Sequence, residues 1–245
     1  MSGQLMERER EMPLFYRDPQ VLRSAAHAAL RIKPGDYRFA AEANASPLAV
    51  IEFASAMRHY PIVFSSKDGF PLVIFGLGSS NRFVSGGQWA ERAYVPAYVR
   101  RYPFAFSAAG EDGFALAIDV GADNVIDGGG EGEPLFIDGK PAPLAENAVA
   151  FCGEFQGAHI QTRAFADALR AHDLLVEQRA DARPASGAPL ALSGFMVVDQ
   201  TRFDALPDEV VLDWHRKGWS ALVHFHRASL ARFADLLAHE AENCS

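Results

Sequence analysis

Between residues 94 and 104 the stretch YVPAYVRRYPF sets two adjacent arginines, Arg100 and Arg101, among aromatic residues and two prolines. Guanidinium groups hold carboxylates and phosphates through charge-assisted hydrogen bonds, and aromatic rings beside them supply a stacking wall. Tyr94, Tyr98, Tyr102 and, slightly upstream, Trp89 are the rings that such a site would use. A second candidate lies in AAEANASPL, where Glu42 and Asn44 stand among small apolar residues. A carboxylate in that setting can act as a general base or fix an amine. Each group also has a plainer use. The rings can be core and the arginines can pair with surface acids such as Glu91, while Glu42 joins a salt bridge and Asn44 satisfies backbone at a turn. If the tract runs as an extended strand, Arg100 and Arg101 point to opposite faces, so at most one aims at a given pocket.

Other chemistries find less support. His224 and His226 are two apart, which on a helix turns them to different faces, and no third ligand accompanies His215 and His226, so no metal is expected. Trp214, Trp219, Phe225 and Phe233 read as helix packing. The acidic, glycine-rich GADNVIDGGGEGEP (121–134) has neither the alternating aspartates of a calcium loop nor the Gly-Lys-Ser/Thr of a phosphate loop. It reads as a flexible linker, with a mobile lid as the functional alternative. Gly78-Ser-Ser-Asn fails the nucleophile-elbow pattern, and Cys152, inside an amphipathic run, reads as a buried, inert thiol. No cofactor is expected.

The elements that must position these residues are organised around a repetition. RHYPIVFSSKDGFPLVI (58–74) and RRYPFAFSAAGEDGFALAI (100–118) share an Arg–basic–Tyr–Pro run, a Phe-Ser and an Asp-Gly-Phe turn. Each has the signature of a hairpin whose glycine supplies the positive φ of the turn. Arg100 corresponds to Arg58, whereas Arg101 replaces His59, so Arg100 suits a role in a shared framework and Arg101 a role special to the second unit. Two related units lying side by side would make a sheet large enough to bury a face. A third hairpin is expected around Asp138-Gly139, a strand around Tyr37–Ala41, and a helical turn near Ile51–Met57. From residue 144 the apolar spacing turns helical, with relaxation near Gly153 and Gly157, and 206–242 reads as two helical stretches parted near Gly218.

The expected fold class is therefore α+β: an antiparallel β-rich N-terminal half built around two related hairpin units (58–81 and 100–124), with a helical C-terminal half packed on it. Residues 13–143 form the β-rich region. Residues 144–242 form the mostly helical one, with a strand near 191–199, in one compact domain overall. The 245 residues have 49% hydrophobic and 22% charged content, an ordinary globular balance, and a formal charge of −8 that gives no long-range attraction for nucleic acid or anionic lipid. Two cysteines without metal spacing, a charged rather than apolar N-terminus and no long apolar run predict a cytoplasmic protein without membrane insertion.

FAAEANASPLAVIEFASAMRHYPIVF (39–64), WAERAYVPAYVRRYPFAF (89–106), GEPLFIDGKPAPL (132–144) and LSGFMVVDQTRFDALPDE (192–209) resemble the bacterial SapC family in order and spacing over roughly residues 13–235. The tract around Arg100 and Arg101 is the most specific piece of the resemblance. What it implies is an association with bacterial surface-layer loci and nutrient-uptake systems, with no reaction and no catalytic residues attached. The leading expectation is a soluble, non-catalytic accessory protein. It binds an unknown protein or a small anionic ligand on an Arg/Tyr/Trp-rich surface made of Glu42, Asn44, Trp89, Tyr94, Tyr98, Arg100, Arg101 and Tyr102. One alternative is an enzyme acting on a small anionic substrate, with Glu42 as base and Arg100 or Arg101 as anion anchor. Another is a structural component of a surface layer, which leaves self-association and non-classical export to the cell surface open.

Overall fold

The computed structural model describes residues 12–109, 113–182 and 190–242. The architecture is α+β, with antiparallel sheets through the first half and helices gathered toward the C-terminus. Contacts divide the chain into two interleaved units. One holds the described residues up to Gly35 together with Tyr102–Glu146, and the other holds Asp36–Arg101 together with the described residues from Asn147 onward.

In the first unit, strand Gly113–Asp119 lies between Pro19–Val21 and Phe104–Ala109, antiparallel to both. The stretch 24–32 holds both a helical turn, Ser24–His27, and a strand, Leu30–Ile32. The glycine-rich stretch expected as a linker instead supplies two strands, Val125–Asp127 and Glu133–Pro134, which pair on either side of Leu30–Ile32. Its return requires glycine: Gly132 has φ +83°, and a Cβ there would stand 2.7 Å from the Ile32 carbonyl oxygen. The hairpin Phe136–Ile137/Lys140–Pro141 turns on Asp138-Gly139, both at positive φ, as its sequence predicts.

The second unit is built on a five-stranded antiparallel sheet in the order Leu175–Ala182, Leu190–Val198, Ile62–Ser65, Pro71–Ile74, Ala45–Pro47. Ile62, Val63 and Phe64 are all fully buried, so the central strand is covered on both faces. Phe64 meets Phe165 of the long helix Pro143–Ala171, and Phe165 in turn contacts Phe53, Trp214 and Trp219. Val63 instead packs with Ile74, Phe195 and Leu236, the last from the helix Arg232–Glu242. Gly218 at φ +73° separates Asp208–Arg216 from Trp219–Ser229, the break read from sequence. The expected strand around Tyr37–Ala41 is a 3-10 turn, Arg38–Ala40, started by the Asp36 side chain accepting from the Arg38 N–H.

Both Tyr-Pro motifs lead into antiparallel hairpins, but the likeness stops there. The hairpins belong to different sheets, so they do not lie side by side in one. Ile62 pairs with Val73 in the first, while Phe104, its counterpart, pairs with Ile118, the counterpart of Ile74. That is a one-residue slip, which turns the matched return-strand residues to different faces. Phe70 is accordingly buried and Phe114 exposed. The Tyr102–Pro103 peptide is cis, the only such bond among the described residues. Asp112 of the second Asp-Gly-Phe lies outside the described residues.

The long helix runs unbroken through Gly153 and Gly157, where relaxation was expected, because its buried face continues across them with Cys152, Ala158, Thr162 and Phe165. A Cβ added at either glycine meets nothing within 4 Å. Gly153→Ala and Gly157→Ala should therefore each stabilise the protein by about 0.5–1 kcal/mol through lost unfolded-state entropy. Calorimetry should show Tm rising by about 2–4 °C per kcal/mol in a chain of this size. A lowered Tm would mean that the helix needs flexibility there.

Candidate functional site

The tract carrying the two arginines is not an extended strand. Ala97–Arg100 is a helical turn whose N-terminus is held by a buried carboxylate: Glu52 Oε1 accepts from the Ala97 N–H at 2.7 Å and from the Tyr94 hydroxyl at 2.9 Å. Glu52 Oε2 accepts from the Ala49 N–H at 3.0 Å, so one side chain caps two segments. Burial first, and then the Glu52 charge, push the Tyr94 phenol up to about 12. Its hydroxyl is committed to Glu52.

The helical turn places the arginines on rings of the long helix. Arg100 Cζ lies 5.2 Å from the Phe151 ring and 5.9 Å from Tyr94, while Arg101 Cζ lies 4.1 Å from Tyr98 and 4.6 Å from Phe155. Phe151 and Phe155 are one turn apart, so each receives one guanidinium, a contact worth roughly 0.5–2 kcal/mol according to how far it is desolvated. The next two turns of the same face continue the attachment. His159 stacks on Phe70 at 4.9 Å, and Arg163 pairs with Asp68 at 3.0 Å, clamping the Asp-Gly-Phe turn of the first hairpin. The arginine pair fastens residues 94–101 to the helix.

The other sequence candidates are also largely framework. Trp89 is buried, donating from Nε1 to the Tyr60 hydroxyl at 3.0 Å, with Tyr37 and Phe75 against its ring. Tyr98 is buried as well, so neither presents a ligand-facing surface. Asn44 donates to the Gly78 carbonyl at 2.7 Å and fixes the loop that follows Phe75. Glu42 is exposed to solvent. Tyr102 belongs to the other unit, where its hydroxyl donates to Asp119 Oδ2 at 3.0 Å, and burial followed by that carboxylate raises its pKa. Of the eight, Tyr94 lines an open cleft.

That cleft has a volume of about 260 Å³ and is lined by Ser55, Arg58, His59, Glu91, Arg92, Ala93 and Tyr94. Residues 55–59 come from the end of the helical turn Phe53–Ala56, and residues 91–94 from the stretch after strand Gln88–Trp89. Tyr60, fully buried, ties the two walls by donating to the Tyr94 carbonyl at 2.5 Å while accepting from Trp89. Arg58 and Arg92 are exposed, and among the described residues neither is engaged in an ion pair. Burial, then Arg58 and Arg232, lower the His59 pKa, so the imidazole is neutral near pH 7. The lining thus sets two positive charges against one, Glu91, in a chain of net charge −8. Of these residues, Arg58 and His59 were legible only as the first copy of the basic pair. Arg92 and its placement opposite them depend on a fold contact that the sequence does not announce.

Among the described residues no three His, Cys, Asp or Glu side chains are grouped to hold a metal ion. Cys152 is buried, and burial raises its thiol pKa, while Cys244 lies outside the described residues. No described helix is long and apolar enough to cross a membrane.

A family model described as SapC matches residues 22–236, most of the chain. No curated protein and no solved structure matches it significantly.

Proposed function

We propose that this chain, which belongs to the SapC family, is a non-catalytic binding protein that holds an anionic group in the cleft between residues 55–59 and 91–94. It serves as an accessory to bacterial envelope or nutrient-uptake machinery, the setting that the family resemblance implies. One observation carries the reading: two exposed guanidiniums without ion-pair partners among the described residues and a half-buried imidazole line the same cleft of an otherwise acidic chain. Guanidinium forks are suited to carboxylate and phosphate oxygens. The enzyme alternative loses support because Glu42, its base, is exposed and does not line the cleft.

Thermal-shift titrations against small carboxylates, phosphate and sulfate at low ionic strength test this. The wild type should be stabilised in a dose-dependent way that weakens with added salt. Arg58→Ala/Arg92→Ala should lose the response, whereas Arg100→Ala, which removes ring packing and hydrogen bonds to the Val95 carbonyl and the Tyr94 hydroxyl but no group lining the cleft, should keep it. An equal response in the double variant, or none in the wild type, would overturn the assignment.

A further inference from the structure

Resting on that reading of the cleft, we infer that its ligand is a doubly charged oxyanion and that the cleft takes up a proton on His59 as it binds. The ligand is a free ion of the phosphate or sulfate type, or a phosphomonoester borne by a larger molecule. With the imidazole neutral, Arg58 and Arg92 against Glu91 leave a single net positive charge, which one dianion more than cancels. A proton on His59 brings the lining to two, the match for a dianion. The donors suit an oxyanion: two guanidiniums, the imidazole and the Ser55 hydroxyl, while the Tyr94 hydroxyl is held by Glu52 and forms wall. A space of about 260 Å³ admits an oxyanion together with a small part of a molecule bearing it.

The coupling follows from what surrounds the ring. From its own segment Arg58 adjoins it; from the opposite wall Glu91, Arg92 and Tyr94 line the same space; and Arg232, ion-paired with Asp235, acts on it from the C-terminal helix. Tyr60 lies alongside at 5.9 Å. Burial, Arg58 and Arg232 disfavour the proton on His59 before a ligand binds. A dianion reverses the sign of the local field, and an opposite charge within contact distance favours the imidazolium. By reciprocity, protonation strengthens anion binding by the same factor.

Isothermal titration with sulfate, which stays a dianion throughout the imidazole range, reads this directly. Wild-type affinity should rise about tenfold between about pH 7.5 and about pH 5, one unit of induced pKa change, with circular dichroism confirming the fold at both. His59→Asn should bind as the wild type does at the higher pH and show no gain at the lower. Arg58→Ala/Arg92→Ala should bind at neither. Vesicles doped with phosphatidic acid form a second arm, read at about pH 7.5 because a phosphomonoester gives up its second charge at about pH 6: capture there that Arg58→Ala/Arg92→Ala abolishes, without sulfate binding, assigns the oxyanion to a headgroup. Affinity independent of pH in the wild type, or a gain surviving His59→Asn, overturns the proton coupling while leaving the cleft in place. Undiminished binding by the arginine variant removes the cleft and the inference with it.

Discussion

Asp119→Ala should unfold the unit made of residues 12–35 and Tyr102–Glu146 under conditions in which the wild type is folded. Asp119 is fully buried, and its carboxylate accepts four hydrogen bonds. Oδ1 takes the Asp18 N–H at 2.7 Å and the Gly121 N–H at 3.2 Å, and Oδ2 takes the Arg17 N–H at 3.0 Å and the Tyr102 hydroxyl at 3.0 Å. One side chain thereby ties the segment leading into strand Pro19–Val21 to the end of strand Gly113–Asp119, which pairs with it. Alanine leaves three backbone donors and a phenol without their acceptor. At roughly 1–3 kcal/mol for each buried group left unsatisfied, the loss rivals the whole stability of a small folding unit. Asp119→Asn is the sharper test because it keeps the volume. One oxygen becomes an NH₂ facing two donors, so about 3 kcal/mol or more should go, against about 1 kcal/mol for Tyr102→Phe, which removes a single bond. Hydrogen exchange of strands Pro19–Val21 and Gly113–Asp119 reads the local effect. If Asp119→Asn loses no more protection than Tyr102→Phe, the carboxylate is not the organiser.

Tyr102 shows why the site was only partly legible. As a tyrosine beside paired arginines it looked like part of a ligand wall, yet its partner is an aspartate at the end of FALAID, two of whose other partners lie about a hundred residues earlier. No local pattern records such a convergence. What local patterns do record came through. The Asp-Gly turns gave hairpins, the three–four apolar spacing gave the long helix, and Gly218 gave a helix break. Leu175–Ala182 escaped notice because LVEQRADA is half polar, the composition of an edge strand with one wet face. The sequence left open whether the arginine tract is extended; Pro96 stands at the head of a helical turn, where a missing N–H costs nothing. The basic pairs then exchanged their expected roles. Arg100 and Arg101 went to rings on the long helix, and Arg58 with His59 went to the cleft. Two similar motifs each lead into a hairpin, and the surroundings of each decide whether its charges pack or face solvent.

Acidification should weaken the second unit through one buried histidine. His226 is fully buried between two strands that separate at one end. The ladder pairs Phe195 with Ser65 and Met196 with Phe64, and its register continued would set Val198 opposite Ile62. There the imidazole intervenes: Nδ1–H donates to the Ile62 carbonyl at 2.7 Å, and Nε2 accepts from the Val198 N–H at 3.1 Å. Ser229, a turn further along the same helix, accepts from the Ile62 N–H at 2.8 Å. Only the neutral ring makes both bonds, since an imidazolium has no acceptor for Val198. Burial, partly offset by the Ile62 carbonyl and aided by Arg227, lowers the pKa to about 4. The unfolded value is about 6.5, so between the two the unfolded chain binds the extra proton. The contribution is therefore complete above about pH 6.5, falls by about 1.4 kcal/mol per pH unit below it, and is gone beneath about pH 4, a total of about 3 kcal/mol. His226→Gln, which retains a donor and an acceptor but does not titrate, should be less stable at neutral pH and lose this slope. His226→Leu, which orphans both strand groups, should cost about 3 kcal/mol or more at neutral pH. Urea midpoints measured across the interval for wild type and His226→Gln isolate the histidine from the carboxylates that titrate beside it. Parallel curves for the two proteins would show that the imidazole is not the acid-sensitive joint of this sheet.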